Sequence, residues 1–312
     1  MTDWKVLTRT ALCSLYRSSG MMYLHERIQR WCGCQFLPIL LFHRVTDAIP
    51  EDGLTVSTTR FRAICKMLAE RFQVVTLAQV FALIRERKPL PYRTVAITFD
   101  DCYLDNLAAA RILAEYGLPA TFFIPTDFIG SDHSFFWDRN LPRMANLTWD
   151  NVREMVRLGH EIGSHTASHA NLGVISEEQC RYELIHSRSV IADQTGQAVR
   201  WFAHPFGGRE NLRPEYIPLI REAGYQGAVS AIGGFVRPGI DTTILPREAV
   251  PYFRSIAHLE MYLSGCLELL YLIKGRPRRK HDPWNLAEAV AHKPSSQMVE
   301  SAIMYGQTRI AN

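Results

Sequence analysis

Two short segments of the chain carry residue types that bind metal ions and move protons. His165 and His169 are four residues apart and follow a short apolar run, and Asp100 and Asp101 are adjacent at the end of another. Asp101, His165 and His169 offer one carboxylate oxygen and two imidazole nitrogens, a ligand set that suits zinc and also cobalt, nickel or manganese. Such an ion lowers the pKa of bound water toward about 7, and Asp100 would be free to take the proton that leaves.

Each of these pairs alone has an ordinary structural interpretation. An Asp pair after a strand is often a helix N-cap with a solvated neighbour, and a His pair at this spacing is often one exposed helix face. However, His43 and the His204-Pro205 dipeptide also stand at the ends of apolar runs. Because the strands of a (β/α) barrel end on one face, where active sites form, the sequence predicts that all these residues converge.

The elements that would position these residues come from regular alternation in the middle of the chain. Apolar runs of strand length alternate with amphipathic stretches, which predicts βα units and a parallel sheet or barrel. The predicted strands cover 36–42, 73–75, 94–99, 120–124, 161–164, 199–203 and 225–230. Neighbouring side chains of a strand point to opposite faces, so Asp100 and Asp101 share one site only if their strand ends at Phe99.

Helix ends are marked by residues that suit caps. Helical patterns are followed by glycines where a left-handed C-terminal cap is wanted, and two begin after a Thr or Ser that suits the N-cap. The glycines are Gly117, Gly159, Gly196 and Gly224, and the N-cap residues are Thr148 and Ser176. Residues 126–147, rich in aromatic residues and Asp, interrupt the alternation, and we expect a long functional loop there.

We divide the 312 residues into three parts. Residues 1–35 are a predicted N-terminal helical extension, residues 36–255 a single catalytic α/β domain, and residues 256–312 a C-terminal helix followed by a flexible tail. The helix is expected over 256–273.

Composition limits the classes of function. The net charge is only +4 and the basic residues are dispersed except at 274–280, so a nucleic-acid partner is not expected. The seven cysteines form no paired pattern, which favours reduced thiols. We see neither a signal-peptide core nor an apolar run long enough to span a bilayer, and so expect a cytoplasmic or membrane-peripheral protein, with peripheral membrane contact through the C-terminal region.

Several matched blocks make residues 36–250 similar to the polysaccharide deacetylase family, which is carbohydrate esterase family 4 with its NodB homology domain. The blocks are 41–45 (LFHRV), 98–106 (TFDDCYLDN), 117–123 (GLPATFF), 147–150 (LTWD), 159–169 (GHEIGSHTASH) and 202–207 (FAHPFG). The resemblance implies a distorted (β/α) barrel of about seven strands. It also implies a metal-dependent hydrolase that removes N-acetyl groups from N-acetylhexosamine oligosaccharides or polysaccharides, including chitooligosaccharides.

The resemblance assigns roles to single residues. Asp100 becomes the general base, and Asp101, His165 and His169 hold the divalent ion, with zinc favoured over cobalt, nickel or manganese. Metal-activated water would attack the acetamide carbonyl, and the main-chain N–H of Phe206 would help to hold the oxyanion.

Two departures from the family pattern leave roles open. The late Leu-x-His tripeptide that supplies the general acid in many members does not follow residue 207. We take His43 as the candidate acid, because its strand end is expected beside that of Asp100, and His258 as the second candidate. Ala203 replaces an Arg that orients the base in many members, so His204 is expected either to position Asp100 or to contact the sugar.

Phe206, His204, Trp137 and Asn171 complete the predicted substrate site, although Trp137 could equally be a packed loop anchor. Cys102 stands where the family usually has Gly. Three rival functions remain: a non-catalytic carbohydrate-binding descendant, an O-acetyl esterase, and an Asp-nucleophile phosphatase. The phosphatase is disfavoured because it needs a second acid at the position of Cys102.

Overall fold

The computed structural model describes residues 14–16, 18–31, 36–240, 243–250, 253 and 255–265. The strands are β1 (Ile39–Phe42), β2 (Arg44–Val45), β3 (Thr55–Val56), β4 (Gln73–Val75), β5 (Thr94–Phe99), β6 (Thr121–Ile124), β7 (Glu161–Ser164), β8 (Trp201–Ala203), β9 (Gly227–Val229), β10 (Ile244–Leu245) and β11 (Glu248–Ala249). The α-helices are α1 (Met21–Trp31), α2 (Thr58–Arg71), α3 (Leu77–Arg85), α4 (Asp105–Glu115), α5 (Trp149–Arg157), α6 (Glu177–Thr195), α7 (Ile217–Glu222) and α8 (Ile256–Leu263).

The main sheet is parallel throughout, in the order β10-β9-β8-β7-β6-β5-β1-β11, and β4 pairs with the first half of β5. β10 pairs with β9 at one end of this order and β11 pairs with β1 at the other. Only Pro246 and Arg247 separate β10 from β11 along the chain, so one segment joins both ends of the strand order. The sheet is therefore curled into a distorted barrel, as predicted, with residues 244–249 as its seam.

The lower half of the barrel, toward the N-terminal ends of the strands, is filled by apolar side chains. Trp201 of β8 stacks on Phe81 of α3, with ring centroids 4.5 Å apart. Two glycines make room for aromatic rings in this half. A Cβ on Gly163 would lie 2.4 Å from the Phe123 ring, and a Cβ on Gly227 would lie 2.3 Å from the Phe81 ring. The helix α3 therefore plugs this end of the barrel.

A second, larger apolar core lies between the outer face of the sheet and the helices around it. On β5 it takes the alternate residues Val95, Ile97 and Phe99, whereas Ala96 belongs to the interior cluster. This period of two places Thr98 and then Asp100 on the inner side.

Most predicted elements are confirmed, with shorter strands at some ends. The strands 73–75, 94–99 and 161–164 have the predicted bounds, and β1 begins only at Ile39. Leu37 instead forms an isolated antiparallel bridge with Val236. The four cap glycines all have positive φ, and Thr148 and Ser176 cap α5 and α6 through capping boxes.

The C-terminal helix predicted over 256–273 is described from Ile256 to Leu263. Ser264 and Gly265 form a turn after it, so the predicted helix does not continue through these two residues. The rest of the predicted helix, the tail with its expected membrane contact, and residues 1–13 lie outside the described residues. Among the described helices none is long and apolar enough to cross a bilayer.

Candidate functional site

The end of β5 brings both acidic residues to the top of the barrel. The N–H of Asp100 donates to the Phe42 carbonyl at 3.0 Å, so Asp100 continues the ladder and faces inward. Asp101 leaves the strand with φ of 79°, which turns its carboxylate into the same site. The prediction that the strand ends at Phe99 is confirmed. Cys102 follows with φ of 61°, a left-handed conformation that favours glycine and so is strained here.

The structure brings the three predicted metal ligands together. Asp101 Oδ1 lies 3.2 Å from His169 Nε2 and 3.5 Å from His165 Nε2, and all three ligand atoms lie within 4.8 Å of one another. All three side chains are buried. One carboxylate oxygen and two imidazole nitrogens facing a common point fit a divalent ion such as zinc.

The orientation of His165 is fixed by a hydrogen bond behind the ring. Its Nδ1 lies 2.8 Å from the Ala203 carbonyl oxygen. A carbonyl can only accept, so Nδ1 carries a hydrogen, and Nε2 is the ring nitrogen that faces Asp101 and His169. This arrangement is typical of histidines that bind metal ions.

The turn between the two histidines is held in a strained shape by a buried acid. Thr166 and His169 have φ of 67° and 58°. Glu183 of α6 accepts hydrogen bonds from the N–H groups of Ala167 and Ser168, at 2.8 and 2.9 Å, and from the Ser168 hydroxyl at 2.6 Å. These three bonds from one carboxylate fix the backbone that carries His169.

Asp100 is held by Arg247, from the seam of the barrel. Arg247 Nη1 and Nη2 donate to the two carboxylate oxygens of Asp100 at 2.7 and 2.6 Å, and both side chains are buried. The idea that His204 positions Asp100 is therefore wrong. Arg247 supplies the guanidinium that the family pattern led us to look for at position 203, and it reaches Asp100 from the seam, whose strand β11 pairs with β1, the neighbour of β5.

Electrostatics keep the two acids ionised. Burial by itself would raise the pKa of Asp100, but the positive charge of Arg247 and its hydrogen bonds outweigh burial, and the pKa lies below its ordinary value. Burial by itself would also raise the pKa of Asp101, but hydrogen bonds with His165 and His169 hold that pKa well below its ordinary value. Asp100 is thus a carboxylate beside the cluster, with Oδ2 at 3.7 Å from His165 Nε2.

Of the two candidate acids, His43 lies at the site. Burial lowers its pKa, and the charges of Asp101 and Asp100 act in the opposite direction, which places its ring near both carboxylates. Its Nδ1 is buried and has no hydrogen-bond partner among the described residues. His258 instead packs on Phe253 with ring centroids 5.2 Å apart, on a helix outside the barrel.

His204 lies buried beside the cluster. Neither ring nitrogen has a hydrogen-bond partner within the described part of the chain. Burial, with the nearby charges of His165 and Arg247, lowers its pKa to about 3, so the ring is neutral. A substrate contact through this ring stays a prediction.

Aromatic rings surround His169 on its outer side. The ring centroids of Phe206, Phe135 and Trp137 lie 4.9, 5.2 and 5.3 Å from that of His169. Phe206 has φ of 58° in the turn after β8. Phe136 also faces this group, 4.9 Å from Trp137, and is 39% exposed.

Asn171 acts within the protein. Its Oδ1 accepts from the Gly173 N–H at 2.9 Å, and its Nδ2 donates to Asn211 Oδ1 at 2.7 Å. Asn211 in turn donates to the Phe206 carbonyl at 3.1 Å. Asn171 thus supports the turn that carries Phe206, and its predicted contact with substrate is not among these bonds.

Sequence reasoning missed three residues that shape the site: Arg247, Glu183 and Arg44. Arg44 follows His43 in the 41–45 block, but nothing in the sequence indicates that it pairs with Asp138 of the 126–147 loop. Arg247 lies 147 positions from Asp100 in the chain. Glu183 is one of several acids on α6, and only its burial distinguishes it.

Comparison with known proteins gives a consistent result. Residues 87–228 match the family model described as polysaccharide deacetylase. YxkH of Bacillus subtilis strain 168, named as a candidate polysaccharide deacetylase, is 28% identical over 200 residues, which cover 64% of this chain and 65% of that protein. A poly-β-1,6-N-acetyl-D-glucosamine N-deacetylase of Staphylococcus aureus strain MRSA252 is 24% identical over 205 residues, 62% of this chain and 67% of that protein.

Solved structures share the fold. IcaB from Ammonifex degensii has a TM-score of 0.63 at 21% identity, covering 74% of this chain and 97% of that one. The Streptococcus pyogenes deacetylase PplD, solved in complex with acetate, has a TM-score of 0.60 at 21% identity, covering 70% and 96%.

Proposed function

The chain belongs to the polysaccharide deacetylase family, and on that premise we propose that it is a hydrolase that removes N-acetyl groups from an oligosaccharide or polysaccharide containing N-acetylhexosamine. The observation that carries the proposal is the buried carboxylate of Asp100, paired with Arg247 and set beside the cluster of Asp101, His165 and His169. Hydrolysis of an amide at neutral pH needs both a base and a means to stabilise negative charge, and this arrangement offers both.

Asp101, His165 and His169 are the residues that would hold a divalent ion, with zinc as the first candidate. When bound, such an ion supplies a Lewis acid and lowers the pKa of water. Asp100 is the proposed general base. The pairing with Arg247 keeps Asp100 ionised and leaves Oδ2 directed toward the cluster, where it can take a proton.

His43 is the proposed general acid, which gives a proton to the departing amine. Its ring lies near Asp100 and Asp101: burial lowers its pKa, and the charges of the two carboxylates oppose that effect only in part. After Asp100 takes a proton from water, passage of a proton to the amine through His43 completes the hydrolysis. The main-chain N–H of Phe206 is the proposed oxyanion donor.

The proposed substrate is a polymer or oligomer of N-acetylglucosamine type. The name of the Staphylococcus aureus relative supports poly-β-1,6-N-acetyl-D-glucosamine as the first substrate to try, with chitooligosaccharides as the second. Phe206 and Trp137 beside His169 offer apolar surface on which the face of a pyranose ring can pack.

An enzyme is favoured over a non-catalytic binder by one observation. The binder interpretation relied in part on the missing Arg at position 203, and Arg247 supplies a guanidinium to the same carboxylate. A site of this kind would also attack an O-acetyl ester, so the substrate must be tested rather than assumed.

The experiment is an acetate-release assay on poly-β-1,6-N-acetyl-D-glucosamine, chitin oligomers, peptidoglycan fragments and an O-acetylated polysaccharide, with and without chelator. We expect release from an N-acetylated substrate that is lost on chelation and restored by zinc, cobalt, nickel or manganese. Release confined to the O-acetylated substrate would identify an esterase. Binding of the N-acetylated polymer without release of acetate would contradict the enzymatic proposal.

A further inference from the structure

The middle of the 126–147 loop is fastened to the barrel by a buried ion pair. Asp138 Oδ1 accepts from Arg44 Nη1 at 2.5 Å, and both side chains are buried. The ends of the loop are attached separately, since the Thr126 and Asp127 N–H groups donate to the Thr166 and Ala167 carbonyls and the Leu147 N–H donates to the Cys102 carbonyl. Asp138 therefore anchors the part of the loop that these main-chain bonds leave free.

A second hydrogen-bond path connects this anchor to the tryptophan of the loop. Tyr103 donates its hydroxyl hydrogen to Asp138 Oδ2 at 2.7 Å, and Trp137 Nε1 donates to the Tyr103 hydroxyl at 3.0 Å. Burial raises the pKa of Tyr103, so the hydroxyl remains protonated and keeps its donor role. The indole of Trp137 is thereby fixed at its N–H end.

With the indole fixed in this way, the rings of Trp137 and Phe136 lie at the edge of the proposed active site. The Trp137 ring lies 5.3 Å from His169 and 5.8 Å from Phe206, edge to face in both cases. Phe136 lies 6.2 Å from Phe206 with the rings nearly parallel, and it is one of the exposed large hydrophobic residues. Phe136, Trp137 and Phe206 together form what we call the aromatic wall.

A buried ion pair is a costly way to attach a loop. Removal of both charges from water offsets much of their attraction, and apolar residues of similar size often stabilise a fold as well or better. However, an ion pair with two further hydrogen bonds fixes the orientation of the side chains that it joins, which apolar contacts do not. Arg44 also directly follows His43, so the backbone after β1 carries both the proposed general acid and the residue that anchors the loop.

We propose that Arg44 and Asp138 are positioning residues for the substrate: their ion pair holds Trp137 and Phe136 where the aromatic wall receives the pyranose ring that bears the acetamide. This inference rests on the proposed function. It predicts that loss of the anchor weakens the hold on sugar while the metal-binding cluster remains intact.

The test compares Asp138→Asn with Asp52→Asn in the metal-loaded enzyme. Asp52 Oδ2 accepts from Arg44 Nη2 at 2.9 Å, but Asp52 does not belong to the loop, so it is the matched control for loss of a carboxylate on Arg44. We expect Asp138→Asn to raise KM for an N-acetylglucosamine oligomer about tenfold, the scale of one aromatic contact, with kcat within about twofold. Asp52→Asn should leave KM unchanged.

A double-mutant cycle shows whether Asp138 acts through Trp137. If it does, Trp137→Phe combined with Asp138→Asn should raise KM no further than the more damaging single change. Tyr103→Phe, which removes a single hydroxyl, provides the same test should Asp138→Asn fail to fold. Metal affinity, measured by titration of the metal-free protein, and the midpoint of thermal unfolding show whether the effect is confined to the sugar.

Equal losses of kcat, metal affinity and KM, or fully additive effects of Trp137→Phe and Asp138→Asn, would overturn the inference. If the wild-type protein binds the oligomer without turnover, the same comparison is made on Kd by calorimetry. A wild-type protein that neither binds nor deacetylates any N-acetylated glycan would instead defeat the proposed function.

Discussion

The two halves of the barrel interior are built by the same strands but filled by opposite kinds of side chain. Along β5 the inward residue in the lower half is Ala96, and directly after the strand Asp100 faces inward at the top; on the seam, Leu245 is followed by Arg247. The lower half is closed by the stacked rings of Phe81 and Trp201. The side chains that fill both halves are mostly buried, so burial alone does not distinguish the halves.

The difference lies in what makes each half stable. Apolar contacts are non-directional and contribute in proportion to the area removed from water. Paired charges contribute only when both partners are present in good geometry, and a partner left alone is costly. We therefore expect substitutions in the lower half to change stability alone, and substitutions in the upper half to change chemistry and, where a pair is broken, stability too.

The largest effect is expected from Asp100→Asn in the upper half. Loss of the base should lower kcat/KM by about 10²- to 10⁴-fold, measured by acetate release at a temperature where circular dichroism shows the variant folded. Metal content should be retained, because Asp101, His165 and His169 are unchanged. His169→Ala is the contrasting variant and should lose both metal and activity, and full activity of Asp100→Asn would refute the assignment of the base.

Arg247→Met tests whether the upper half combines stability with chemistry. It leaves the Asp100 carboxylate buried without its partner, which should cost about 3–5 kcal/mol of unfolding free energy in chemical denaturation. Arg247 holds the pKa of Asp100 in the folded protein below its ordinary value. The pair therefore makes its full contribution to stability at pH values above the ordinary, unfolded-state pKa, and this contribution is lost as the pH falls through the folded-state pKa. Without Arg247 the pKa rises, and the acid limb of the pH profile of kcat/KM should move to higher pH.

Arg247→Lys is the companion to this variant. It restores a positive charge without the two-pronged geometry, so the acid limb should lie between those of the wild type and Arg247→Met. An acid limb at the wild-type position in both variants would mean that Arg247 does not control the ionisation of Asp100.

Trp201→Ala tests the lower half. Removal of a buried indole that stacks on Phe81 should cost about 3–5 kcal/mol of unfolding free energy, which is similar to Arg247→Met. The two variants should differ in chemistry, since kcat/KM per folded molecule and its pH profile should stay at wild-type values in Trp201→Ala. A shifted pH profile in this variant would show that the halves are coupled, and the comparison would fail.

The upper half was also the harder part to predict from sequence. The metal-ligand cluster and Asp100 follow strands whose apolar runs are long enough to recognise, such as 94–99 and 161–164. The seam strands β10 and β11 have two residues each, too few to show a period of two. Arg247 lies between them, and chain order gives no sign that this segment returns to β1.

The interior of the lower half was only partly predictable, for a different reason. The helix α3 has the apolar pattern of any amphipathic helix, and nothing local indicates that Phe81 enters the barrel end. Gly163 could be recognised as a strand residue, but the approach of the Phe123 ring that requires glycine there depends on the neighbouring strand. Both features depend on contacts between elements that are distant in sequence, which the local hydrophobic pattern does not indicate.

The smallest effect is expected where a helix outside the barrel supports the upper half. Glu183→Ala removes the acceptor for the Ala167 and Ser168 N–H groups and so loosens the turn that carries His169, while every ligand atom remains. Because loss of a residue that orients a ligand typically costs 10- to 100-fold in metal affinity, we expect zinc to bind about tenfold more weakly, measured by competition with a chromophoric chelator. Glu178→Ala is the matched control, since Glu178 is an exposed acid on the same helix, and should leave the affinity unchanged. Glu183→Gln keeps an acceptor oxygen and should recover most of the loss. If Glu183→Ala binds zinc as tightly as the control, the turn is held by its own strained backbone, and the upper half depends on fewer outside contacts than the structure indicates.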